Sequence, residues 1–156
     1  MMKKNVLITG ITGQDGSFLT SHLLQNSDYQ IIGTSREKNN DNFYKKLEYL
    51  NVESSTVKNL KIVQANALDY KSISSVIKNS KIHSVYNLMG PSSVYESVAD
   101  PFKSSKSIIF SFNNIVKALI ENKNYPNFFQ TSSSEMFEAS VNEKLSEDSK
   151  FNPRSP

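Results

Sequence analysis

Cysteine is absent from this 156-residue chain, which excludes a disulfide framework and any thiolate metal site. Long hydrophobic runs are absent too. The apolar stretch behind the N-terminal lysines, in Lys3-Lys4-Asn5-Val6-Leu7-Ile8, covers only about four residues, far short of a signal-peptide core or a membrane span. It reads as a first β-strand, and a cytoplasmic protein with no membrane segment is expected. Arginine is scarce, with only Arg36 and Arg154 among the 18 basic residues. The lysines are scattered, in no run longer than two. Nucleic-acid binding calls for a clustered basic stripe, so the net charge of +3 is read as a solvated surface with no nucleic-acid partner. Only two histidines are present, His22 and His83. Neither has a partner at ligand or triad spacing, so both are read as structural and no metal is expected.

What remains is ordinary for a soluble globular domain, 37% hydrophobic and 21% charged. Its order along the chain is informative. Short apolar runs at Asn5–Ile8, Gln30–Ser35, Leu60–Gln64, Ser84–Leu88 and Asn127–Ser132 read as strands. Helical spacing separates them: Phe18–Leu24, then Phe43, Leu47 and Leu50, then Ile73, Val76 and Ile77. A long helix over Phe102–Glu121 carries Ile108, Phe112, Ile115 and Leu119 on one stripe. The polar stretches Glu37–Asn42 and Asn51–Asn59 are read as loops, and the segment from Ala139 onward has no periodicity. Strands alternating with helices imply right-handed βαβ units and a parallel sheet. The expected fold is therefore α/β, a Rossmann-like doubly wound sheet of about five strands in the order 3-2-1-4-5.

Glycine is sparse, five in all, yet three fall within seven residues, Gly10, Gly13 and Gly16. They sit between the first strand and the first helix, in Gly10-Ile11-Thr12-Gly13-Gln14-Asp15-Gly16. One glycine suits the tight turn, one the close approach of a pyrophosphate, and one tight helix–strand packing. The helix N-terminus adds free N–H groups and a positive dipole end. These seven residues are read as a dinucleotide-binding loop. The second strand, which faces the adenosine ribose in such folds, ends Thr34-Ser35-Arg36 with no acid at its tip. An arginine there suits a 2′-phosphate, so NADP is the expected cofactor.

The spacing Gly-x-x-Gly-x-x-Gly resembles the extended short-chain dehydrogenases, and Gly13-Gln14-Asp15-Gly16-Ser17 resembles the GDP-mannose 4,6-dehydratases among them. The resemblance covers the whole chain, as about the first half of such an enzyme. It places Asn66 and Ala67 at the adenine, where Asp-Leu is usual, and Leu88, Met89 and Ser92 along the cofactor, where the family reads Asn-Leu-Ala-Ala-Gln-Ser. A tyrosine that the family places near the cofactor falls on Lys103. Serine 133 and glutamate 135, in Ser132-Ser133-Ser134-Glu135-Met136-Phe137, match the Ser-Thr-Ser-Glu segment. By resemblance Ser133 polarises the sugar's 4-oxygen, and Glu135 is the base at C5 and acid at C6.

Residues 1–156 are accordingly expected to be the cofactor-binding domain, with the substrate domain absent and a GDP-sugar as substrate. The family's Tyr-x-x-x-Lys pair would begin directly after Pro156, and none of the seven tyrosines has a lysine four residues later. The 156 residues alone are expected to be inactive. The fifth strand would be an open sheet edge, so a homo-oligomer is expected. Two other readings stay open: an epimerase or reductase of the same family, and an NADP-binding module without chemistry.

Overall fold

The computed structural model describes residues 3–91, 93–137 and 144–153. Five parallel strands form one sheet in the order β3-β2-β1-β4-β5, as the alternating pattern implied. The strands are β1 (Asn5–Thr9), β2 (Gln30–Ser35), β3 (Leu60–Gln64), β4 (Ile82–Asn87) and β5 (Asn127–Gln130). Register aligns Thr9 with Thr34 on one side and with Asn87 on the other, and Asn87 with Gln130. The carboxyl ends of four strands therefore finish level, which is where ligands bind in such sheets.

Alternation along the central strands builds two cores. Val6, Ile8 and Ile31 join Leu23, Leu24, Phe43 and Leu47 on one face, beneath α1 (Gln14–Asn26) and α2 (Asp41–Tyr49). Leu7, Ile32 and Val85 join Ile73, Ile77, Ile115 and Leu119 on the other, beneath α4 (Tyr70–Lys78) and α6 (Pro101–Glu121). Burial on both faces explains why these strands read as apolar runs rather than as alternating ones. Each fully buried aliphatic side chain contributes roughly 1.5–3 kcal/mol relative to exposure.

Several boundaries differ from the sequence expectation. Helix α1 begins at Gln14, inside the glycine segment, and not at Phe18. Strand β4 starts earlier, at Ile82, and stops at Asn87, while β5 stops at Gln130. The stretch 51–59 contains a single helical turn, α3 (Ser54–Val57), and the stretch after β4 contains α5 (Val94–Ala99), capped by Ser93 accepting from the Glu96 N–H. Both are too short to show an apolar stripe. In α6 the expected stripe is only half buried. Ile115 and Leu119 are in the core, but Ile108 and Phe112 remain 43% and 38% exposed, because the first half of the helix lies over a cavity.

The last described segment is not plain loop. Phe151 bridges Phe137 with ring centroids 5.2 Å apart, and the Asn152 N–H donates to the Met136 carbonyl at 2.9 Å. This ties it to the 3₁₀ turn Ser134–Met136. Among the described residues β5 pairs only with β4 and forms a sheet edge, as expected.

Candidate functional site

The glycine loop closes on itself through a Gly13 N–H to Gly10 carbonyl bond of 3.0 Å. Gly10 has φ +72°, and a Cβ there would stand 2.9 Å from the Leu88 carbonyl, so both conformation and space demand glycine. At Gly16 a Cβ would lie 2.4 Å from the Ile11 carbonyl and 2.6 Å from that of Gly10. The helix can sit this close to the loop only without a side chain. Gly13 is the N-cap of α1 and offers no capping side chain, so the first-turn N–H groups are left for an outside acceptor. An anion at this end also gains from the helix dipole.

A cavity of about 660 Å³ opens over this loop. Gly10, Thr12 and Gly13 form one wall, with Arg36 and Asn66 further along and Leu88 and Met89 beside them. Arg36 is exposed at the end of β2, and its guanidinium forms no ion pair among the described residues. The carbonyl oxygen of the Asn66 side chain accepts from the Leu68 N–H at 3.0 Å, which fixes the side chain and leaves its second lone pair open. Ile11 and Ala67 are buried in the core, Ile11 filling the space left by the missing side chain of Gly33. Neither lines the cavity, and the Ala67 carbonyl already accepts from Asn114 at 2.8 Å. Gln14 lies apart, at a shallow depression with Phe18 and Tyr49. Ser92 lies outside the described residues.

A second cavity of about 910 Å³ adjoins the first along the strip Leu88–Pro91. Ser133, Glu135 and Asp15 line it together, with Ile108, Ile109 and Phe112 of α6 opposite. Asp15, grouped with the cofactor loop in the sequence reading, thus shares this cavity with Glu135. Ser133 accepts from the Glu135 N–H at 3.2 Å, so its own hydroxyl proton is free to point at a ligand. Glu135 is exposed to the cavity and forms no ion pair among the described residues.

Below this cavity lies a polar row that the sequence reading missed. The Thr9 hydroxyl donates to the Asn87 side-chain carbonyl, and the Asn87 amide donates to Gln130 at 2.7 Å. Gln130 donates to the Thr131 carbonyl at 3.0 Å, and the Thr131 hydroxyl donates back to the Asn87 carbonyl at 3.0 Å. Thr9 and Asn87 are fully buried. Each side-chain nitrogen and hydroxyl of the row has at least one partner, which pins the start of the Ser132–Glu135 segment to the sheet. The signal available in the sequence was polar residues at the ends of three apolar strands.

The sequence profile of the GDP-mannose 4,6 dehydratases matches residues 7–156. The chain belongs to the GDP-mannose 4,6-dehydratase family. It is 32% identical over 160 residues to GDP-mannose 4,6 dehydratase 1 of Arabidopsis thaliana, covering 99% of this chain and 44% of that protein. Among solved structures it resembles the UDP-Glc/GlcNAc 4-epimerase of Campylobacter jejuni, with TM-score 0.80 at 17% identity, over 97% of this chain and 44% of the other. The UDP-glucose 4-epimerase of Bifidobacterium longum, solved with NAD+ and UDP, gives TM-score 0.80 at 19% identity, over 96% and 43%. At these identities the structures establish the fold alone. The chain spans less than half the length of the relatives it matches.

The wall of the first cavity formed by α5 and the start of α6 includes Lys103, which the resemblance put near the cofactor, and also Tyr95, Glu96 and Asp100, which the sequence did not single out. No periodicity or motif marks these three, since they face the loop only through the fold. Among the described residues no cluster of three or more metal-ligating side chains exists, and no helix is long and apolar enough to cross a membrane.

Proposed function

We propose that this chain is the cofactor-binding part of a sugar-nucleotide 4,6-dehydratase that converts GDP-mannose to its 4-keto-6-deoxy product, with NADP as cofactor. The observation that carries the reading is the junction of the two cavities. A ligand bound at the uncapped N-terminus of α1 runs past Leu88–Pro91 into the space shared by Ser133 and Glu135. The residues fit a dinucleotide: backbone donors and a dipole end for the pyrophosphate, a carbonyl at Asn66 for an adenine amine, and an unpaired guanidinium at Arg36 for a 2′-phosphate. Gly10, Thr12, Gly13, Asn66, Leu88 and Met89 line this path, with Gly16 and the Ile11 and Ala67 backbone supporting it.

The chemistry supplied by the bound cofactor is hydride acceptance from C4 of the hexose and its return to C6. The chain's own residues serve the steps between. The Ser133 hydroxyl donates to the sugar's 4-oxygen, stabilising the ketone that acidifies the C5 proton. Glu135 takes that proton and delivers one to the C6 hydroxyl, which leaves as water. Deprotonation of the 4-hydroxyl has no Tyr-x-x-x-Lys pair in these 156 residues, so they bind cofactor without turnover. The lack of a membrane-crossing helix among the described residues fits a cytoplasmic site of action.

Calorimetry with NADP and NAD tests the cofactor assignment. Arg36→Ala is expected to cost about 1.5–3 kcal/mol for NADP and little for NAD. Equal weakening of both sinks the role given to Arg36. Turnover tests the substrate assignment, using these residues extended by the remaining half of a family relative. GDP-mannose dehydration supports it, and interconversion of a hexose at C4 instead moves the chain to the epimerases.

A further inference from the structure

The two cavities that meet at Leu88–Pro91 differ in charge. The one over the glycine loop is lined by Arg36 and Lys103 as well as by Glu96 and Asp100. The other has Asp15 and Glu135 as its only ionisable lining residues among those described, and no cation. The two acids come from separate elements. Asp15 stands in the first turn of α1, and Glu135 on the 3₁₀ turn after β5. The wall opposite them is apolar, built from Ile108, Ile109 and Phe112 of α6, and such a wall screens charge poorly.

An acid in the first turn answers the dipole of any helix. At α1 the same dipole serves a phosphate, and a carboxylate beside it repels that phosphate. The repulsion is equal for oxidised and reduced dinucleotides, whose phosphates are the same. What differs is the ring at the other end. Oxidised nicotinamide is a cation, and gaining a hydride, a proton with two electrons, makes it a neutral dihydropyridine. A dinucleotide with its adenosine at Asn66 and its phosphates at the glycine loop carries this ring into the carboxylate-lined cavity. There Asp15 and Glu135 attract the oxidised ring and gain nothing from the reduced one.

We propose that Asp15 and Glu135 together set the redox preference of the site, favouring the oxidised, hydride-accepting form of the cofactor. The inference deepens the cofactor reading above and rests on it. A reaction that takes a hydride from C4 and must return it to C6 is served by such a bias. The reduced ring is the disfavoured state, so the hydride is given back and the site ends each cycle ready to accept another. Glu135 then has a task besides proton transfer, and Asp15 has one that needs no contact with the sugar.

Calorimetry of the 156-residue chain with NADP and NADPH, at low ionic strength, measures the ratio of the two affinities. The unaltered chain is expected to bind NADP more tightly, on the order of 10-fold, which sets the bound couple about 30 mV below the free one. Asp15→Asn and Glu135→Gln keep the shape of each side chain and remove its charge. Each is expected to lower the ratio by about 3-fold, and salt near 1 M to shrink it in the unaltered chain. Binding of 2′,5′-ADP, which has no nicotinamide, reports that the variants are folded and is expected to be unchanged or slightly tighter. Glu96→Gln, in the first cavity, is expected to leave the ratio as it is. A preference for NADPH in the unaltered chain overturns the inference, as does a ratio that either Asp15→Asn or Glu135→Gln leaves unchanged. An equal fall with Glu96→Gln assigns the effect to overall charge and overturns it too. In each of these cases the cofactor reading stands. Failure of the unaltered chain to bind either form overturns the cofactor reading and this inference with it.

Discussion

Glu135 is the residue on which the proposed chemistry turns, and its setting makes a specific demand. It sits on a 3₁₀ turn held from three sides: Ser133 caps the turn, Thr131 is anchored to Asn87, and Asn152 donates to Met136. The carboxylate is thus positioned by the backbone, with no ion pair of its own among the described residues. Replacing it with glutamine keeps size and hydrogen bonding while removing the base. In a protein extended by the remaining half of a family relative, Glu135→Gln is expected to leave C4 oxidation intact and to lower product formation by about 10²-fold or more. Single-turnover absorbance of the reduced cofactor, followed beside product analysis, checks it. Undiminished release of water removes Glu135 from the mechanism.

At the scale of elements, the buried row Thr9–Asn87–Gln130 joins the ends of β1, β4 and β5. Truncating Asn87 to alanine leaves the buried Thr9 donor and the half-buried Gln130 acceptor without their partner. The expected cost is about 2–4 kcal/mol in a urea unfolding experiment. The Thr9→Val change is expected to be less than additive with it, because both break the same bond. A loss below about 0.5 kcal/mol for Asn87→Ala would show that the row carries no stability. This row also shows where the sequence stopped being readable. The strand order and the two-sided core followed from apolar runs such as Val6-Leu7-Ile8, since burial on both faces forces such runs. The glycine loop was legible because Gly10 and Gly16 answer to local sterics, φ at one and backbone contact at the other. Asn87 was not legible as a site residue. Its role depends on which strands the fold brings beside it, and spacing along the chain carries no trace of that. The exposed half of α6 failed for a related reason: periodicity reveals a helix face, and not whether anything packs on it.

For the molecule as a whole, the two ends of the sheet differ. Both terminal strands are paired on one side only among the described residues, but Phe129 of β5 is 52% exposed against Tyr86, whereas no apolar side chain of β3 is exposed. Beside this edge the first half of α6 shows Phe102, Ile109 and Phe110 at 87%, 54% and 51% exposure. Unpaired strand edges template pairing with another chain, and contiguous apolar surface favours association. The 156-residue polypeptide is therefore expected to self-associate reversibly, with a light-scattering mass that rises with concentration. The net charge of +3 is too small to oppose this strongly, so added salt is expected to have little effect or to favour association. Phe129→Lys places a charge on the edge itself and is expected to shift the population towards monomer, while leaving dinucleotide affinity unchanged because Phe129 lines neither cavity. If the unaltered chain remains monomeric at the highest attainable concentration, neither the edge nor the apolar face of α6 drives assembly, and the homo-oligomer expectation fails.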